Sequence, residues 1–497
     1  MNSLRNLTCY NIYEKNALFR ADSTAIHWND QDTSHAELFD QTKRLANGLQ
    51  NLNLPAGSRI GILCKNHPAF FHIFGAASAL NLVLVLINRR LSSEEISYII
   101  EDTTPALLIC DGEMEEQGKK LQESFSFVEN LFVVNREPFN NLYQEPACEV
   151  VDCNRHDPYI IIHTAAVMGK PRGAVLSQEN IILANQQIVE AFNLDYNRTY
   201  LNILPLFHIM GVNLGLATLQ AGGRNIIIDK FDPQQVVKLV DEQKVSIFGS
   251  FPPILSNILE VLENGETTLP SLESVVGLET PETVKKWEEA TNSSFWTMYG
   301  QTETSGLITF AEYFTKPGSA GKISTLANIR IADDFDTLLP CGSTGEILVR
   351  GPLVFQGYWN SEELNTHTFR EGWHHTGDLG MIDQDGYLFF KGRKAEKELI
   401  KPGGENVFPA EVEKVILEHE AVREVCVFGV PDPKFGEGIK ALCSLHEGHT
   451  LTKEKLVSFC ATRIAGYKKP RYVEFISELP KTEDGSIDRA TIKSQFA

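Results

Sequence analysis

An α/β fold, with layered α/β subdomains in a large N-terminal domain and a small α+β domain at the C-terminus, is predicted by three features of the chain. Short apolar runs alternate with amphipathic stretches over the first two-thirds, a glycine-rich, turn-rich texture sets in near residue 319, and helix, strand and helix patterns return after residue 393. Residues 59–64, 106–110 and 225–229 are apolar runs of the length of buried strands. Between them, residues 34–51 set Leu38, Leu45 and Leu49 on one helical face, and Ser92-Ser-Glu-Glu95 ahead of Ile96, Ile99 and Ile100 has the spacing of a capped amphipathic helix. Such alternation builds largely parallel sheet. From about 319 to 393, glycines such as Gly342, Gly351, Gly372 and Gly386 separate short alternating strands, which predicts a β-rich subdomain at the end of an N-terminal domain spanning 1–393. Helix at 410–420, strand at 425–430 and helix at 453–464 predict a C-terminal domain over 394–497, with the charged stretch 394–398 as linker.

Composition narrows the function classes. At 497 residues the chain exceeds what one hydrophobic core usually organises. Asp and Glu outnumber Lys and Arg by 65 to 45, and the resulting charge of -20 opposes nucleic acid as a partner. A bound nucleotide must therefore rely on local backbone donors, a few cations and a metal ion. Nine cysteines, scattered from Cys9 to Cys460 without a Cys-x-x-Cys pair, signal neither a disulfide framework nor a zinc site, as expected of a cytoplasmic protein. Residues 1–16 lack the basic-then-apolar order of a signal peptide. The most apolar stretch, 76–87, is too short for a transmembrane segment and reads as buried core.

Four stretches carry candidate chemistry. In the loop His163-Thr-Ala-Ala-Val-Met-Gly-Lys-Pro-Arg-Gly173, Thr164, Gly169 and the backbone suit phosphate oxygens, and Lys170 or Arg172 supplies charge; the same residues also make an ordinary surface turn. In Tyr299-Gly-Gln-Thr-Glu303, Tyr299 can stack on adenine, Gly300 admits close approach, Thr302 can bond phosphate and Glu303 can hold Mg²⁺, a hard cation that prefers carboxylate oxygen. Asp378, in Gly372-Trp-His-His-Thr-Gly-Asp378, can accept from both hydroxyls of a ribose, although Gly-Asp also makes simple turns. His374 and His375 have no metal-ligand partners at suitable spacing, which favours structural roles. Finally, Arg393 can reach ribose or phosphate, and Gly403-Gly404 would let backbone lie against a narrow ligand such as a pantetheine arm.

Taken in order, these stretches resemble the adenylate-forming superfamily of acyl-CoA synthetases, peptide-synthetase adenylation domains and luciferases. Asn88-Arg-Arg-Leu91, Leu204-Pro-Leu-Phe-His208, Gly345-Glu-Ile-Leu-Val-Arg350 and Leu479-Pro-Lys-Thr482 extend the likeness over nearly the whole chain. The resemblance implies a carboxylic acid:CoA ligase, for a fatty or aromatic acid, that uses ATP, Mg²⁺ and coenzyme A, forms an acyl-AMP, and rotates a mobile C-terminal domain between its two steps. It implies catalytic positions at Thr302, Glu303, Arg393 and His208, metal at Glu303, ribose at Asp378 and Arg393, and adenine at Tyr299 and the segment containing Gly277, Glu279 and Thr280. It places the acyl pocket along 208–215, 251–255 and 277–279, and the hinge at Lys397 or Lys394. Two departures bear on the first step: Ala165, Ala166, Val167 and Met168 replace three hydroxyls and a glycine of the usual phosphate loop, and Ser486 stands where a lysine is usual. The alternatives are an acyl-AMP ligase serving a carrier protein, and a nucleotide- or acyl-CoA-binding homologue with impaired adenylation.

Overall fold

The computed structural model describes residues 7–143, 153–164, 171–265, 267–394, 399–482 and 487–497. Among these residues the chain forms four sheets. The first has five parallel strands in the order Asn130–Val133, Leu107–Cys110, Arg59–Leu63, Val83–Leu86 and Pro158–Thr164, extended by the antiparallel strand Arg172–Ser177 and the two-residue edge Gly357–Tyr358. Val83–Leu86 and Leu107–Cys110 are buried at every position, as apolar strands covered by helices on both faces must be.

The apolar stretch at 76–87 is buried in two pieces. Helix Ala69–Leu80 ends at Asn81, whose left-handed φ of 54° sends its N–H to the Ala77 carbonyl, and the chain re-enters as strand Val83–Leu86. The helix foreseen at 34–51 is His35–Gln50, with Ser34 and Glu37 forming a capping box; Ser92 and Glu95 do the same for helix Ser93–Thr103.

The second sheet has nine strands. Its parallel centre runs through Ser294–Gln301, Ser274–Gly277, Ile247–Ser250, Thr199–Asn202, Arg224–Ile227 and Thr24–Trp28. Helix Ile209–Gln220 packs across this sheet and carries Gly211 and Gly215, where a Cβ would meet the Pro205 carbonyl oxygen at 2.2 Å and Asn202 at 3.0 Å. The glycine-rich region builds a four-stranded antiparallel sheet of Asn328–Ala332, Thr344–Arg350, His374–Ile382 and Leu388–Arg393. It also lends Lys322–Ile323 to the second sheet and Gly357–Tyr358 to the first. Edge strands of two residues carry no readable alternation, which is why the sequence pattern shows only one β-rich block.

The last sheet pairs Val422–Asp432 with Gly436–Leu445 and adds Tyr472–Phe475 in parallel. Helices Pro409–Leu417 and Lys453–Ala461 pack on one face around Val412, Ile416, Leu456 and Cys460. Helix Arg489–Phe496 covers the other through Ile492.

Candidate active site

Paired strands bring the distant motifs together. Asp378 lies inside strand His374–Ile382 and is the register partner of Arg393 on the neighbouring strand. Arg393 Nε donates to Asp378 Oδ1 at 2.8 Å, while Tyr299 Oη and Gln301 Nε2 donate to Oδ2 at 2.8 and 2.7 Å. Asp378 is 2% exposed, so these donors hold the carboxylate in one orientation. The Tyr299 ring is buried and faces Phe390 at 6.2 Å, and burial followed by the Asp378 charge pushes its hydroxyl pKa well up.

Gln301 ends that strand and leads into the 3₁₀ turn Thr302–Thr304, which carries Glu303 to the end of the first sheet. Glu303 Oε1 accepts from Thr164 Oγ1 at 3.1 Å and from Tyr358 Oη at 2.8 Å. Arg172, paired in register with Thr164, lies 5.4 Å from the Tyr358 ring centroid. Thr164 thus stands beside the site carboxylate, directly before residue 165. Residues 165–170, Gly169 and Lys170 among them, lie outside the described residues, as do Lys397 and Ser486.

Close backbone approach explains two glycines. A Cβ on Gly277 would fall 1.7 Å from the Ser250 carbonyl oxygen and one on Gly300 would fall 2.0 Å from that of Gly306. Gly277→Ala must therefore push two paired strands apart, and a loss of about 3 kcal/mol or more is expected. Urea unfolding checks this; an unchanged midpoint would show that the strands yield freely. Glu279 and Thr280 sit just beyond. Thr280 caps helix Pro281–Thr291 by accepting from the Thr283 N–H at 3.3 Å, and Glu279 accepts from its neighbour's N–H at 3.1 Å, its carboxyl raised by burial. Burial, followed by the charges of Glu282 and Glu279, raises the Tyr313 hydroxyl pKa. The hydrogen bonds of the Glu279 and Thr280 side chains stay within residues 279–283.

A third cluster spans the two parts of the chain. His208, N-cap residue of helix Ile209–Gln220, packs on Phe207 and places Nε2 3.4 Å from Glu405. Arg90 and Asn88 donate to the same carboxylate at 2.8 and 3.1 Å. Burial alone would raise the Glu405 pKa, but the charges and hydrogen bonds of His208 and Arg90 bring it down to about 2. The preceding pair, Gly403 and Gly404, have φ of 59° and 85°, and their would-be Cβ atoms lie 3.3 Å from the Pro252 carbonyl oxygen and 3.1 Å from the Phe251 ring. Positive φ and this proximity together favour glycine. Lys401 follows Arg393 into the site. Burial, then the positive charge of Arg393, lowers its ammonium pKa to about 8.

Although the sequence spacing offers His375 no ligand partners, the fold sets it within 4.8 Å of carboxylate oxygens from Asp336 and Glu346. Arg370 already pairs with both acids and Lys394 pairs with Glu346 at 3.0 Å, so the group is a neutralised ion cluster. Glu346 also accepts the Gly377 N–H at 2.9 Å, tying the residue before Asp378 to the start of the linker.

Nothing local in the sequence singles out Gln301, Tyr358, Lys401 or Glu405. Gln301 stands inside the Tyr299–Glu303 motif, and Glu405 directly follows the Gly403-Gly404 pair, but neither position carries a signal of its own. The contacts that define Gln301, Tyr358 and Glu405 join residues 77, 55 and 317 positions apart, and half-buried Lys401 is distinguished by the charges of Arg393, Asp378 and Glu437 around it.

The fold sets a buried aspartate, a tyrosine and a hydroxyl-bonded glutamate together where parallel and antiparallel sheets meet, and the chain as a whole is that of an adenylate-forming enzyme. Residues 13–359 match the AMP-binding enzyme family and residues 411–486 its C-terminal domain; the chain belongs to that family. It is 31% identical over 480 residues to a feruloyl-CoA synthase from Amycolatopsis, covering 95% of this chain and 96% of the relative. It is 30% identical to a long-chain-fatty-acid–CoA ligase from Mycobacterium tuberculosis, covering 94% of each. The structure of an o-succinylbenzoate CoA synthetase from Bacillus subtilis, bound with a product analogue, superposes with a TM-score of 0.86 at 27% identity, covering 97% of this chain and 98% of that one. No helix among the described residues is long and apolar enough to cross a membrane.

Proposed function

We propose that this protein is an acid–thiol ligase that joins a carboxylic acid to coenzyme A through an acyl-AMP. The observation that carries the reading is the continuous path from Asp378 through Tyr299 and Gln301 to Glu303 and Thr164, which offers a diol acceptor at one end and phosphate-facing groups at the other. In the first step the acid's carboxylate oxygen bonds to the α-phosphorus of ATP and pyrophosphate leaves. In the second, the thiol sulfur bonds to the acyl carbon, the proton is released and AMP leaves. Asp378 holds the ribose hydroxyls, Arg393 fixes Asp378, and Thr302 and Arg172 face phosphate.

The Glu303 carboxylate, buried beside one hydroxyl from Thr164, suits Mg²⁺, which is commonly bound by one or two carboxylates together with substrate phosphates. Bound there, the ion would neutralise triphosphate charge. The acyl pocket is assigned to the space between helix Ile209–Gln220 and the strand ends at Ser250 and Gly277. ATP–pyrophosphate exchange over short, medium, long and aromatic acids, followed by thioester formation with CoA, tests the reading. Absence of both products with every acid would overturn it.

The arrangement of the C-terminal part supports the second step. Gly403-Gly404 face Phe251 and Pro252, where the thiol arm must pass, whereas Lys481 is ion-paired with Glu424 at 2.8 Å. Glu424 lies eight residues along strand Val422–Asp432 from Asp432, ~26 Å at the usual rise. Lys401 adds a pH signature. Its ammonium is charged below about pH 8 and neutral above, so an anion-binding role makes kcat/KM for ATP fall as pH rises through about 8. Lys401→Met is expected to lower the low-pH plateau about tenfold and remove that limb. A limb that persists in the variant belongs to another group.

A further inference from the structure

Two helix starts, one from each side of the linker, share a single buried lysine. Glu95 caps helix Ser93–Thr103 by accepting the Ser92 N–H through Oε2 at 2.7 Å, and Glu411 accepts the Phe408 N–H through Oε1 at 3.0 Å at the start of helix Pro409–Leu417. The remaining oxygen of each carboxylate meets Lys468 Nζ: Glu411 Oε2 at 2.8 Å, and Glu95 Oε1 in direct contact. Lys468 is 2% exposed, and Tyr467 beside it lies in the field of Glu405, Glu95 and Glu411.

The two acids differ in how they are held. Glu411 and Lys468 belong to the same side of the linker, so a rotation of the C-terminal part about it would carry them together. Glu95 belongs to the other side, so the same rotation would part it from Lys468. Without the lysine this orientation would press two carboxylates together away from water, a repulsion that separation relieves. The Glu405 cluster works in the opposite sense, a C-terminal acid seated among the N-terminal partners Asn88, Arg90 and His208.

We infer that Lys468 is a positioning residue for thioester formation: by bridging Glu95 and Glu411 it holds the C-terminal part where Gly403-Gly404 face Phe251 and Pro252. The role rests on the two-step ligase reading. Lys468 touches neither Asp378 nor Glu303, so adenylation does not need it. Its substitution separates the half-reactions, whereas a general folding defect would depress both.

Single-turnover measurements of acyl-AMP formation, and of thioester formation from pre-made acyl-AMP and CoA, read this directly. Lys468→Met is expected to slow the thioester step about tenfold or more and to change adenylation by less than about twofold. Lys468→Arg keeps the charge and should restore the thioester rate. Glu95→Gln added to Lys468→Met removes one of the opposed carboxylates and should recover part of the loss. In parallel, hydrogen exchange at residues 92–96 and 403–405 should quicken in Lys468→Met and return to the wild-type rate in Lys468→Arg. Unchanged exchange and thioester rates in Lys468→Met, or equal loss in both half-reactions, would overturn the positioning role. A wild-type protein that makes no acyl-AMP or thioester overturns the ligase reading instead, and exchange still reports whether Lys468 holds the two parts together.

Discussion

Asp378→Ala is expected to reduce kcat/KM for ATP by about a thousandfold, because each hydrogen bond from a ribose hydroxyl to a carboxylate contributes about 1.5–3 kcal/mol and two are lost together. The effect has a second origin. Asp378 anchors Arg393, Tyr299 and Gln301 in fixed directions, so alanine frees the groups that shape the nucleotide site. It also strips the mostly buried Arg393 guanidinium of its anion, and a stability loss of about 3 kcal/mol is expected with it. Asp378→Asn narrows the two origins: it keeps shape and one acceptor but still leaves Arg393 without its anion, so it should lose less stability than alanine while still using ATP poorly. Pyrophosphate exchange against ATP concentration, alongside thermal unfolding, reads both variants. Wild-type kcat/KM in a folded Asp378→Asn protein would remove this residue from the nucleotide site.

The fold is legible where local chemistry repeats. The capping boxes at Ser34 and Ser92, the buried runs at 59–63 and 107–110 and the helix–strand–helix tail all follow from spacing and residue type. The break at Asn81 is not, since a helix end in left-handed conformation leaves an apolar stretch apolar. In the site, Tyr299, Asp378 and Arg393 can each be named from their motifs. Their mutual contacts cannot, because register pairing and a Tyr299–Asp378 bond across 79 positions are properties of the folded sheets. Arg90 shows the limit most clearly. Its motif is readable, but its partner Glu405 lies 315 positions away on the other side of the linker.

Ser486→Lys is expected to accelerate acyl-AMP formation by about a hundredfold while leaving thioester formation from pre-made acyl-AMP nearly unchanged. As the acid's carboxylate approaches the α-phosphate, two negative groups converge, and a cation placed between them lowers the barrier where serine offers only a neutral hydrogen bond. Two other cations near the C-terminus are already committed in this orientation. Lys481 pairs with Glu424, and Arg489 pairs with Glu413 at 2.7 Å and donates to the Val427 carbonyl at 2.7 Å. Arg172 remains on the N-terminal side beside Tyr358 and Thr164, and Lys401 beside Arg393. If either of these already supplies the missing charge, a lysine at 486 adds little, and Arg172→Gln or Lys401→Met then removes most of the adenylation that Ser486→Lys failed to improve. Single-turnover acyl-AMP formation in the three variants decides between the two: a gain in Ser486→Lys shows a slow first step awaiting a cation, and no gain together with a loss in Arg172→Gln or Lys401→Met places that cation at the residue whose removal causes the loss.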